Sequence, residues 1–153
     1  MTHTPLPSNL LPRLACLVML PALFLGCGKD TAPQTALPPP VSVESSYGPI
    51  TITLTAEPGE VALDRDTLLQ IAVSAPTEMD VTLPDITDRL HGFMLSGQYD
   101  SEADTDTGRF TRNTHLRLTP IIADAYRVAP MAITYRDNSS SPPLEGWFAT
   151  ESL

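Results

Sequence analysis

From Tyr47 onward the chain alternates between apolar and polar positions. Ile50, Ile52 and Leu54 are interleaved with Thr51, Thr53 and Thr55, the period-two pattern of a strand with one buried and one wet face. Pro58-Gly59 turns the chain. Val61 and Leu63 predict a short extended piece, and Asp64-Arg65-Asp66 a polar turn. Leu69, Ile71 and Val73 predict the next inward face, which Pro76 ends. Val81 and Leu83 alternate up to Pro84, and Asp85 to Leu90 reads as a helical turn that Asp85 or Thr87 could cap. Phe93 and Leu95 belong to another strand, and Gln98 to Gly108 reads as an acidic loop. Phe110 to Leu118 is a longer strand with Thr114, Leu116 and Leu118 on one face. Tyr126 and Val128, then Met131, Ile133 and Tyr135, then Trp147 to Leu153 complete the set, with a loop over Asp137 to Pro143. About seven or eight short strands, punctuated roughly every ten residues, predict an all-β domain: a single immunoglobulin-like antiparallel β-sandwich over residues 47–153.

The pattern before Tyr47 is different. Leu14 to Leu25 is continuously apolar but for Cys16 and Pro21, Arg13 precedes it, and no acid occurs before Asp30. A run of this length is too short for a transmembrane helix and suits the apolar region of a secretory signal. It ends on Leu23-Phe24-Leu25-Gly26-Cys27, which resembles the lipobox of bacterial lipoproteins. Gly26 fits that pattern, whereas Phe24 and Leu25 stand where leucine and a small residue are usual. The resemblance implies a signal peptide over residues 1–26, cleavage before Cys27, and acylation of that cysteine. The chain holds only Cys16 and Cys27, so the mature form would keep one thiol and no internal disulfide. An anchor explains that lone cysteine. Residues 27–46 then read as the lipidated cysteine and a tether. Pro33 and Pro38-Pro39-Pro40 favour extended chain, and Lys29 to Ser46 would reach up to roughly 50 Å at about 3.1 Å per residue. Gly28 stands where inner-membrane retention is associated with aspartate, so export to the cell envelope, with the outer membrane as destination, is the expectation.

The chain carries 18 acidic residues against 9 Lys and Arg, a formal charge of −9. That balance disfavours nucleic acid and anionic lipid as partners. Membrane contact is expected through the N-terminal lipid, not through the protein surface. Asp100, Glu102, Asp104 and Asp106 could offer oxygens to a calcium ion. Thr105 stands where an EF-hand loop needs glycine, and Thr111 where it needs a bidentate glutamate. A solvated hairpin loop is the simpler reading. His91 and His115 lie far apart in sequence with no cysteine nearby, a poor basis for zinc. There is no Gly-x-Ser-x-Gly, no phosphate-binding glycine loop and no His-Glu-x-x-His, so a protein without catalytic activity or cofactor is expected. Asp124 and Tyr126 match a structural feature, the corner at which a late-strand tyrosine bonds back to the backbone. Trp147 and Phe148 fall on opposite faces of one strand, so one is expected inside and the other partly exposed.

Several segments, taken in order, resemble the N-terminal immunoglobulin-like region of the BatD, or oxygen-tolerance, membrane proteins. These are Gly48-Pro49-Ile50, Asp66-Thr67-Leu68-Leu69-Gln70-Ile71, Asp80-Val81-Thr82-Leu83-Pro84 and Tyr126-Arg127-Val128-Ala129-Pro130-Met131-Ala132-Ile133-Thr134-Tyr135. That family usually continues into further β-domains and a transmembrane helix, and has glycine where Ala125 stands. The resemblance implies a non-catalytic envelope protein that binds or assembles another envelope component, such as a von Willebrand A-domain protein of a MoxR-linked system. The alternative weighed beside it is a calcium-binding lipoprotein.

Overall fold

A computed structural model describes residues 36–153. The expected signal peptide, Cys27 and the tether as far as residue 35 lie outside the described residues. The strands are β1 (Val41–Tyr47), β2 (Ile50–Glu57), β3 (Thr67–Pro76), β4 (Met79–Thr82), β5 (Leu90–His91), β6 (Phe93–Asp100), β7 (Asp104–Asp106), β8 (Arg109–Pro120), β9 (Arg127–Val128), β10 (Ala132–Asp137) and β11 (Leu144–Ala149). A 3-10 turn, Thr87–Arg89, precedes β5, and Asp85 Oδ1 accepts a hydrogen bond from the Thr87 amide at 2.9 Å.

Alternation in β2 and β3 sets the sandwich. Ile50, Ile52 and Leu54 face inward together with Thr67, Leu69, Ile71, Val73 and Ala75, while their threonine, serine and glutamine neighbours face solvent. β8 adds Thr114, Leu116 and Leu118 to the same inner face. Antiparallel pairing orders the larger sheet β1-β2-β3-β8-β6, with β7 also on β8, and the smaller sheet β11-β10-β4. Met79 and Val81 of β4, Ile133 of β10 and Phe148 of β11 face the larger sheet, and Ile86, Val128 and Met131 join them in the core. The fold is an open, antiparallel all-β sandwich. No helix among the described residues is long and apolar enough to cross a membrane.

Three details differ from the sequence expectation. The sheet begins at Val41 and not at Tyr47: β1 pairs with β2 along its whole length, from Val41 opposite Ala56 to Tyr47 opposite Ile50. Residues 41–46 therefore belong to the domain rather than to the tether. The chain is already tied down at Pro39, whose carbonyl accepts the Gly59 amide at 3.1 Å. Val61 and Leu63 lie in a loop, not in an extended strand. The segment Gln98 to Gly108 is not a loop but most of a hairpin arm. β6 and β7 both pair with β8, and the connection to β8 is only Thr107-Gly108. Both residues have positive φ, 48° and 77°, as a two-residue type I′ hairpin turn requires.

Thr67 is the odd residue of the core. It is 1% exposed, and its hydroxyl has no hydrogen-bond partner. A buried hydroxyl left unpaired costs about 1–3 kcal/mol, and valine has nearly the same shape. Thr67→Val should therefore stabilise the domain by about 1 kcal/mol, raising Tm by roughly 4 °C. A thermal melt that moves down would mean that the hydroxyl is satisfied.

Candidate functional site

The two sheets are unequal in width, and the mismatch makes a large cleft that combines apolar and charged walls. On one side they close. Tyr47 of β1 stacks on Phe148 of β11 at 5.3 Å, with the Tyr135 ring 5.6 Å from Tyr47. Ser45 Oγ accepts the Glu151 amide at 2.8 Å. On the other side the three-stranded sheet runs out at β4, while the larger sheet continues through β8 to β6. The segment from Val81 to Thr87 overhangs the inner face of those last strands and leaves a cleft of about 610 Å³.

Ile71, Val81, Leu83, Ile86 and Leu116 form its apolar part, and Gln98, Asp100, Arg112, Thr114 and Asp85 its polar part. Arg112 points inward because it shares the phase of Thr114, Leu116 and Leu118 along β8. Its Nη2 donates to the Val81 carbonyl at 3.1 Å, which ties β8 to β4 across the mouth. It joins no ion pair among the described residues, so the rest of its donor fork is available to a ligand. Asp100 Oδ1 accepts the Thr114 hydroxyl at 2.6 Å. The backbone and side chain of Thr87, hydrogen-bonded to Asp85, hold the Asp85 carboxyl below the usual range. The Asp85 carboxylate is therefore anionic at neutral pH. The cleft thus sets guanidinium donors and carboxylate and amide acceptors around an apolar floor, and its lining is more polar than apolar.

A β-bulge decides which residues reach this cleft. Leu95 pairs with Leu118 and faces in, but the register shifts before Gly97. Ser96 occupies the bulge, and its hydroxyl donates to the Arg117 carbonyl at 3.1 Å. Beyond it, Gln98 and Asp100 oppose the inward Leu116 and Thr114, while Tyr99 opposes the outward His115 and stacks on it at 4.6 Å. A second irregularity follows: Asp100 opposes Thr114 and Asp104 opposes Thr111, so three residues on one strand face two on the other. The Ser101 amide bonds the Asn113 carbonyl there at 2.8 Å. Asp104 and Asp106 thereby reach the outer face, beside Ser74 and Arg109. The pleat thus splits the four acidic residues considered for calcium. Asp100 lies on the inner face, Asp104 and Asp106 on the outer, and Glu102 in the bulge. No group of three or more His, Cys, Asp or Glu side chains converges among the described residues.

The remaining candidates lie elsewhere. The Tyr126 hydroxyl donates to the Ile121 carbonyl, five residues back, at 2.8 Å. Its ring packs on Phe93 at 5.3 Å and covers Gly92. Asp124 takes no part in that bond. It accepts from His91 Nε2 at 3.4 Å, and this contact holds its carboxyl below the usual range. His91 and His115 stand on different faces and do not meet. Trp147 is 67% exposed on the outer face of β11, and Phe148 is buried. Arg112 and Gln98 belong to no sequence motif. The phase of β8 contained the signal for Arg112, two positions before Thr114, whereas the bulge that turns Gln98 inward has no such mark. Compared with family models, with curated proteins and with solved structures, the chain shows no match to any.

Proposed function

We propose that the protein is a non-catalytic envelope lipoprotein, anchored through Cys27, whose sandwich binds an extended segment of another envelope protein in the cleft between β4 and β6. One observation carries the binding reading. Where a closed sandwich would continue its apolar inner face, β8 and β6 present Arg112, Gln98 and Asp100 to an open groove with an apolar floor. The unpaired edges of β4 and β6 offer backbone groups to an extended chain. Support for the anchor is the Leu23 to Cys27 motif. Support for the partner class, a von Willebrand A-domain protein of a MoxR-linked system, is the BatD resemblance alone.

The test is a photo-crosslinking amino acid placed at Gln98 in the full-length protein in its native envelope, with Thr53 on the outer face of β2 as control. A discrete adduct at 98, absent at 53 and lost with Arg112→Glu, is expected. Equal labelling at both positions, or an adduct indifferent to Arg112, would remove the cleft from the function.

A further inference from the structure

The end of the sandwich at which the chain enters exposes large apolar side chains at its tips, with the Asp64 and Asp124 carboxylates beside them. Val41 opens β1, Glu57 closes β2, Thr67 opens β3, Pro120 closes β8 and Phe93 opens β6, and pairing aligns all five at one end of the larger sheet. The described chain arrives there, through Leu37 and Pro39. At the same end are Leu63 in the β2–β3 loop and Ile121 and Ile122 after β8. Ile122 is 91% exposed, Leu37 and Leu63 60% each, and Ile121 48%. None of these four enters the core. Ile121 and Ile122 also sit on a braced loop, held by the Tyr126 hydroxyl on the Ile121 carbonyl and by the Ile121 amide on the Gly92 carbonyl at 2.9 Å. A braced loop that shows solvent two consecutive isoleucines has paid the ordering entropy before any contact is made.

We propose that this end of the domain docks on the lipid bilayer, with Ile122, Ile121 and Leu63 inserted into the interfacial region. The inference rests on the anchor at Cys27. Pro39 is the twelfth residue after Cys27, so the domain is held within roughly 40 Å of the anchoring lipid even at full extension. Such tethering makes the contact intramolecular, and a weak apolar insertion is then well populated. The acidic balance of the chain gives no electrostatic attraction to the surface, so the contact is apolar and insensitive to salt. It also fixes orientation: the cleft between β4 and β6 opens to the side rather than into the bilayer.

The experiment uses the acylated full-length protein in phosphatidylcholine vesicles containing a brominated phosphatidylcholine. Trp147 is the single native tryptophan and reports the outer face of β11. Ile122→Trp and Leu63→Trp, each in a Trp147→Phe background, report the proposed contact. About a twofold loss of emission is expected from both introduced tryptophans and almost none from Trp147, as insertion at the headgroup–acyl boundary requires. Intact mass is measured on every sample, and Cys27→Ala is assayed for flotation with vesicles. Acylated protein that floats while the tryptophans at 122 and 63 remain unquenched overturns the docking and leaves the anchor standing. An unacylated mass at Cys27 overturns both. Equal quenching at 122, 63 and 147 overturns the orientation and with it the proposal.

Discussion

Gly92→Ala should cost the domain about 3 kcal/mol, from two separable causes. Gly92 has φ +80°, a conformation that charges an L side chain about 1–2 kcal/mol. A Cβ there would also lie 2.6 Å from both the Ala125 carbonyl oxygen and Tyr126 Cδ1. The first of these is backbone and cannot swing aside, so the loop must shift, at a further cost of about 1–3 kcal/mol. Gly48→Ala is the control, since φ is +55° and nothing lies within 4 Å of the added carbon. It should lose only the conformational part, about 1 kcal/mol. Urea unfolding measures both, and an unchanged slope certifies that the midpoint shift is a stability change. If the two alanine variants lose equal stability, Tyr126 is not packed on Gly92 and the corner is looser than described.

The features legible in the sequence were those governed by simple alternation. Ile50 to Thr55, Leu69 to Val73 and Thr114 to Leu118 each put one apolar face inward, and these strands form the centre of the sandwich. Alternation failed where a polar residue holds an inward position for a reason supplied by a distant part of the chain. In β1 the inward series is Val43, Ser45, Tyr47, and Ser45 breaks the pattern because its hydroxyl is occupied by the Glu151 amide. The strand therefore read as tether. Alternation failed again in β6 and β7, where Ser96 and the Ser101–Ala103 bulge each reverse the phase. A bulge needs only one extra residue and a local hydrogen bond, and neither leaves a composition signal. The same two reversals separate Asp100 from Asp104 and Asp106 and bring Gln98 and Asp100 beside Arg112. The candidate cleft was illegible for the same reason that the acidic segment looked like a loop. Tyr126 was easier to place, because its bond to Ile121 is local in sequence and depends on no register.

Leu116→Ala should also cost about 3 kcal/mol, and it links the stability of the core to the cleft. Leu116 is fully buried, opposes Leu69 on β3 and Gln98 on β6, and forms part of the cleft floor. Truncating a buried leucine to alanine costs about 2–5 kcal/mol, and the value falls when the surroundings can collapse into the space. Leu54, equally enclosed but not among the residues that line the cleft, has no such outlet. Leu54→Ala should therefore cost more, about 4 kcal/mol. The Val81 to Thr87 overhang makes few bonds to the larger sheet, chiefly Arg112 to the Val81 carbonyl, and it is the element able to settle toward the vacancy at Leu116. Settling would lower the roof over Gln98 and Arg112, so the adduct formed from position 98 should fall in Leu116→Ala and persist in Leu54→Ala despite the greater destabilisation of the latter. Urea midpoints for the two variants, read beside the yields of that adduct, separate the outcomes. A loss below about 1 kcal/mol at Leu116 would mean that the floor is not packed. Adduct yields that track stability alone would mean that the cleft takes no part in recognition.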